Sequence, residues 1–251
     1  MFNKNPLVSI VTVVFNGETV LEKTIQSIVS QSYQNIQYII IDGASKDNTL
    51  SIIKKYETRI SYWISEPDKG IYDAMNKGLA AATGEYVWFM NAGDSIYSAS
   101  TLEQIIKKHG NSGDAYYGET QVVGEQGSTI GMRRLSVPEK LTWKNLKMGM
   151  VVCHQSIIIK KEYTSPYNLN YPASADIDWI IHALKKSNTI INTHLIITNF
   201  LSGGSSSKNI IQSNIERFKI MVYYYGWIST LLNHFIIGVK FTWFYLRHRR
   251  I

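Results

Sequence analysis

Cysteine occurs once in this chain, at Cys153, which excludes an internal disulfide and a cysteine-held metal cluster and favours a reducing setting. No internal repeat and no long disordered linker interrupts the 251 residues, so the choice is one large domain or one domain with an appendage. No glycine-rich basic loop follows the first apolar run. Asn16-Gly17-Glu18 stands there instead, which argues against a nucleotidyltransferase. Charge is sparse, at 18% against 45% apolar residues, as in a globular protein. It is also uneven. Over residues 216–251, Arg217, Lys219, Lys240, Arg247, Arg249 and Arg250 face Glu216 alone, so most of the +7 net charge lies in the tail. The body is close to neutral, whereas a nucleic-acid binder would spread basic residues over its globular face. Residues 7–15 are short, follow Pro6 and are expected to be a first strand rather than a signal peptide.

What is present is a series of apolar runs that stop at polar turns. Residues 85–94, Glu-Tyr-Val-Trp-Phe-Met-Asn-Ala-Gly-Asp, read as a buried strand delivering Asp94 to the carboxyl edge of a sheet. Residues 7–15 break at Asn16-Gly17, and residues 36–41 end at Asp42-Gly43. Such runs do not alternate, so the sheet is expected to be covered on both faces. Helical spacing of Val20, Leu21, Thr24, Ile25, Ile28 and Val29 makes the first unit β-α-β and predicts a parallel sheet. Ligands of such sheets bind at the carboxyl edge. A helix is expected over 48–57 with Asp47 as cap, a strand over 60–64, a turn at 67–70, and a helix over 71–82 stopped by Gly84. Ser100-Thr101-Leu102-Glu103 matches a capping box.

Further on, a strand over 116–123 leads into a loop or hairpin. A strand over 151–160 would contain His154-Gln155, a helix would cover 176–186, and a strand 189–198. Residues 202–207 form a Gly/Ser connector. In the tail, Ile220, Met221, Tyr224, Tyr225, Ile228, Leu231, Leu232, Phe235, Ile236 and Val239 fall at helical spacing on one face. Residues 226–246 have the length of a membrane span but contain Asn233, His234 and Lys240, so an interfacial amphipathic helix fits better. Packing on the main domain or a dimer contact is the alternative.

These residues together resemble family 2 glycosyltransferases of the GT-A fold. The resemblance rests on the first strand through Asn16, on Ile39 to Thr49 with Asp42-Gly43-Ala44-Ser45, on Asp68-Lys69-Gly70-Ile71-Tyr72-Asp73, and on Phe89-Met90-Asn91-Ala92-Gly93-Asp94. The last two resemble a subgroup of bacterial polysaccharide clusters, colanic-acid types among them. The resemblance implies an α/β Rossmann-like GT-A domain over 1–207, its mostly parallel central sheet flanked by helices, with a helical, basic, membrane-associating extension over 208–251. It implies Thr12, Phe15, Asn16, Asp42, Lys69, Asp73 and Asn91 as nucleotide contacts, and Asp94 as ligand of Mn²⁺ or Mg²⁺. Asn91 and Gly93 stand where many relatives carry Asp, leaving Asp94 as the direct carboxylate ligand. Asp176 is implied as catalytic base, with Ala175 in the place of a common Glu, and Asp178 as the second choice. His154 and Gln155 are candidates near acceptor or donor sugar.

The implied activity is inverting, metal-dependent transfer of a sugar, from a donor that is UDP-linked by family habit, to a glycan or lipid-linked saccharide. The implied partners are that donor, that acceptor and the inner face of the plasma membrane, with no nucleic acid. Plainer roles stay open: Asp42 as a turn residue, Asp94 as an exposed loop residue, Asp176 as a helix cap, His154 as a satisfied core histidine, Cys153 as a small buried residue. A degenerate, non-catalytic nucleotide-sugar or glycan binder is the alternative from another class.

Overall fold

A computed structural model describes residues 5–125, 127–203 and 210–247, with side chains to Val239. The uncharged β-branched runs form β1 (Val8–Val14) and β2 (Ile36–Asp42), joined in parallel to β3 (Tyr62–Ser65) and β4 (Tyr86–Phe89) in the order β3-β2-β1-β4. Helices α1 (Leu21–Val29), α2 (Thr49–Lys55) and α3 (Ile71–Ala81) make the crossovers. Strand side chains point alternately to the two faces. Val11, Val13, Ile39, Ile41, Val87 and Phe89 enter one core with α3. Val8, Ile10, Tyr38, Ile40, Tyr86 and Trp88 enter the other with α1. That double coverage is why these strands read as continuous apolar runs. Close packing also explains Gly78, where a Cβ would come 2.3 Å from Val11 Cγ1.

The second half adds antiparallel pairs to this parallel half. A short β5 (Ser95–Ile96) and α4 (Thr101–His109) lead to β6 (Ala115–Val123) and its hairpin partner β7 (Thr129–Met132). Then β8 (Ile157–Lys160) pairs antiparallel with both β4 and β6. After α5 (Ala175–Lys186), β9 (Ile190–Leu201) runs parallel to β6 and antiparallel to β5. By paired length the sheet, nine-stranded among the described residues, is mostly parallel, as expected.

Other expectations are corrected locally. The expected strand over 151–160 begins at Ile157, because His154–Ser156 form a 3₁₀ turn whose Gln155 carbonyl accepts Trp88 Nε1 and Thr198 Oγ1, both at 2.7 Å. Ser100 makes no side-chain cap; Glu103 instead accepts the Ser32 hydroxyl at 2.5 Å. The N-cap of α2 is Asn48 rather than Asp47, which lies one residue earlier and accepts the Thr49 N–H at 3.0 Å.

The tail face expected to be continuous is divided. In α6 (Ile210–Tyr225), Ile220 and Met221 are buried in the core, and Tyr225 stacks on Trp143. Gly226, at φ +77°, breaks the helix before α7 (Trp227–Arg247). There Ile228, Leu231, Leu232, Phe235 and Val239 are exposed. The domain boundary expected at 207 and the loop residues 204–207 lie outside the described residues, as do Arg249, Arg250 and the Lys240 side chain.

Candidate functional site

The cleft lies at the carboxyl edge of β1 and β4. A cavity of about 570 Å³ holds Tyr72, His154, Asp176, Arg133 and Arg217. A second of about 520 Å³ holds Phe15, Asn16, Asp68 and Asp94. Ile71, Asn91, Gln155 and Phe200 line both, so the two are ends of one cleft.

At the Asp94 end, the backbone is laced before any ligand arrives. Asn16 takes φ +48°, which Asn tolerates; its N–H donates to Ser45 Oγ at 2.7 Å, and its Oδ1 accepts the Lys46 N–H at 2.9 Å. Asp42 is fully buried beneath this loop and accepts Ser45 N–H, Ser45 Oγ and Ser65 Oγ. Thr12 is likewise inside the sheet, donating to Met90 O at 2.8 Å. Lys69 is exposed, and its N–H donates to Asp73 across the first turn of α3. Asp42, Thr12, Lys69 and Asp73 line neither cavity. Phe15, 63% exposed, Asn16, Asn91 and Asp94 do reach the cleft.

The Asn91–Asp94 turn hangs on α1: Gly93 N–H donates to Thr24 Oγ1 at 3.0 Å, and Thr24 Oγ1 donates to Asp94 O at 2.7 Å. Gly93 sits at φ +101°, and a Cβ there would lie 2.8 Å from Leu201 Cδ2. A second carboxylate at that position would therefore need a backbone conformation that side-chain-bearing residues rarely adopt, and the Leu201 side chain would have to move aside. Asp94 is 5% exposed and accepts Leu201 N–H at 2.9 Å. Burial pushes its carboxyl up to about 7, against the opposing pull of Leu201 N–H and the Gln155 side chain. Asn91 Oδ1 is buried with no donor. Among the described residues no three of His, Cys, Asp and Glu gather as a metal cluster. The hard oxygens here are Asp94 and Asn91, which suits a divalent cation completed by ligand oxygens and water.

At the other end, Asp176 sits in the first turn of α5. Its Oδ1 accepts Tyr72 OH at 3.1 Å and the Ile177 N–H at 2.9 Å, leaving Oδ2 without a donor among the described residues. The cap is Ser174, not Asp176. Asp178 faces away and accepts Tyr224 OH at 2.9 Å, and burial raises its pKa. Helical geometry separates the two carboxylates, as residues two apart do not share a face. Glu216 of α6 accepts Ala173 N–H at 2.9 Å, and Ser213 Oγ lies 2.9 Å from Ser174 Oγ. So α6 holds the loop that presents Asp176.

His154 is both wall and core. Its Nε2 lies 2.7 Å from Tyr167 OH, its ring stacks on Phe89 and meets Trp179 edge-on. Burial drives its pKa down to about 4, so it is neutral at physiological pH. Cys153 donates to Gln155 Oε1 at 3.0 Å, and burial pushes the thiol up to about 11. It is an inert wall residue. Sequence reasoning did not single out Tyr72, Asp68, Phe200, Arg133 or Arg217. Tyr72 and Asp68 lay inside a quoted motif; the arginines carried no local signal.

Residues 9–164 match the model of the family described as Glycosyl transferase family 2. The chain belongs to glycosyl transferase family 2. It is 30% identical over 218 residues to a PGL/p-HBAD biosynthesis glycosyltransferase of Mycobacterium bovis, covering 82% of this chain and 81% of the relative. It is 26% identical to the Escherichia coli UDP-Glc:alpha-D-GlcNAc-diphosphoundecaprenol beta-1,3-glucosyltransferase WfgD, over 93% of this chain and 94% of WfgD. Among solved structures, S. aureus TarS 1-349 in complex with UDP superposes with a TM-score of 0.65 at 17% identity, over 87% of this chain and 70% of that one. That likeness supports the GT-A-like fold. Asp176, Ser213 and Arg217 lie beyond the span the family model matches.

Proposed function

We propose that this family 2 member is an inverting hexosyltransferase that moves a sugar from a UDP-linked donor to a hydroxyl of a glycan or lipid-linked saccharide in bacterial surface polysaccharide assembly. One observation carries the reading: a single cleft holds buried hard oxygens at one end and a carboxylate with an open oxygen at the other. The relatives' printed roles, in PGL/p-HBAD biosynthesis and in transfer from UDP-Glc to a diphosphoundecaprenol-linked sugar, support the donor and acceptor classes. A colanic-acid-type subgroup is consistent with the Asn91-Ala92-Gly93-Asp94 variant.

In this reading Phe15, Asn16 and Asp68 receive the nucleotide, while Asp42 keeps the loop beneath it rigid. Asp94 and Asn91 would hold Mn²⁺ or Mg²⁺, which when bound neutralises charge on a diphosphate. Asp176 Oδ2 takes the proton of the acceptor hydroxyl. The acceptor oxygen forms the new bond to the anomeric carbon from the face opposite the nucleotide. The old carbon–oxygen bond breaks, and its electron pair leaves on the diphosphate, so the configuration inverts. Tyr72 holds the base in place, and such a base contributes about 10²–10⁴ in rate.

The exposed apolar side of α7 is the surface assigned to the membrane interface, on the inner face of a plasma membrane. Among the described residues no helix is long and apolar enough to cross a membrane. The test is a thermal-shift panel of UDP, GDP, TDP and CMP, with and without Mn²⁺, on wild type and Asp94→Ala. A metal-dependent shift with UDP, lost in the variant, is expected, since ligand binding stabilises the fold by mass action. No shift with any nucleotide would replace this reading with the non-catalytic glycan binder.

A further inference from the structure

Two arginines that the transfer chemistry leaves unused line the Asp176 end of the cleft. Arg133 follows β7, and Arg217 projects from α6. Arg133 Nη1 and Arg217 Nε are buried with no hydrogen-bond partner. Arg133 is fixed by the bond from its Nη2 to the Met150 carbonyl. Among the described residues neither arginine makes an ion pair. Glu216, next to Arg217, uses its carboxylate on Ala173 N–H and Gln212 Nε2 instead. An unpaired buried donor is costly, and two on the walls of one cavity call for a partner that arrives from outside.

That partner must be an anion with several acceptor oxygens, because guanidinium forks match such oxygens in pairs. It does not arrive on the nucleotide side: neither arginine lines the cavity of Phe15, Asn16 and Asp94. Both line the end where an acceptor hydroxyl must come to reach Asp176. We propose that Arg133 and Arg217 form an acceptor-side subsite for a phosphate or diphosphate group, so that the acceptor is a phosphate-linked saccharide. The proposal rests on the transferase reading and extends it to the acceptor's charge.

The test titrates inorganic pyrophosphate, in EDTA so that no cation captures it, into wild type, Arg133→Gln, Arg217→Gln and both Arg→Lys variants. UDP with Mn²⁺ is titrated into the same proteins separately. Wild type is expected to bind pyrophosphate, each Gln variant to lose about tenfold or more in affinity, and the Lys variants to retain part of it, with UDP affinity unchanged throughout. Equal pyrophosphate binding by wild type and all variants, or no binding by wild type, overturns the subsite. Weakening of UDP by the same factor overturns its acceptor-side placement and gives the arginines to the donor diphosphate. Absence of UDP binding by wild type is a failure of the transferase reading alone, since the pyrophosphate arm is read without UDP. The wild-type arm is independent of whether Arg133→Gln folds.

Discussion

The two ends of the cleft treat their carboxylates in opposite ways. Asp94 is sunk at 5% exposure with burial pushing its carboxyl up to about 7, whereas Asp176 stays partly exposed with Oδ1 held and Oδ2 open. A buried carboxylate pays a desolvation penalty whenever it is charged, and a cation relieves that penalty. A partly hydrated one beside an open cavity is placed to receive a proton. In the proposed reading, one residue type serves two purposes through its surroundings.

Asp176→Asn tests that contrast with the largest expected effect. Turnover should fall about 10²–10⁴-fold while UDP affinity is retained; unchanged turnover would remove Asp176 as base. At the other end, the unfolded chain releases the Asp94 proton near pH 3.8 and the native one near 7. The native state therefore holds more protons in that window, and apo stability falls as pH rises through it. Asp94→Asn should remove that slope, raising apo stability at pH 8 by roughly 4 kcal/mol at most. It should abolish the Mn²⁺-dependent gain from UDP at the same time. Denaturation of both proteins at pH 5 and pH 8 measures the difference, and parallel pH profiles would break the comparison.

A smaller effect is expected at the apolar tail. Phe235→Glu should weaken binding to anionic vesicles by about tenfold, on the order of one buried aromatic side chain, leaving UDP affinity untouched. The smallest belongs to Asp178→Ala, which removes the acceptor of Tyr224 OH. Stability should drop by about 1 kcal/mol with turnover near wild type. A turnover loss matching that of Asp176→Asn would mean the two carboxylates had been assigned to the wrong roles.

The legible part of the fold is the part built from local signals. β1, β2 and β4 read as continuous apolar runs because α1 and α3 cover both faces, and Asn16 and Asp94 end those runs where the cleft forms. The order β4-β8-β6-β9 was not legible, because antiparallel pairing between residues some seventy positions apart leaves no periodicity. His154–Ser156 read as strand since their apolar neighbours do, yet the Gln155 carbonyl is taken by Trp88 and Thr198. Ile220 and Phe235 look alike in a helical pattern, but one is buried in the core and the other exposed. Only the position of α5 against α6 decides that.

What the amino-acid sequence determined by itself was the family and the β-α-β half of the sheet, and it is the source of the proposal that Asp94 and Asp176 are the working carboxylates. The β-α-β half follows from short-range order, apolar period and turn residues; the family and the two carboxylates follow from the resemblance of the quoted motifs. Tertiary structure alone decided that Asp94 is sunk, that Asp178 turns to Tyr224, and that Gly93 sits at a positive φ against Leu201. It also decided that Arg133 and Arg217 meet across the Asp176 cavity, from segments more than eighty residues apart. Each of these depends on desolvation and close packing between elements distant in the chain, and those are properties of the assembled core rather than of any stretch of sequence.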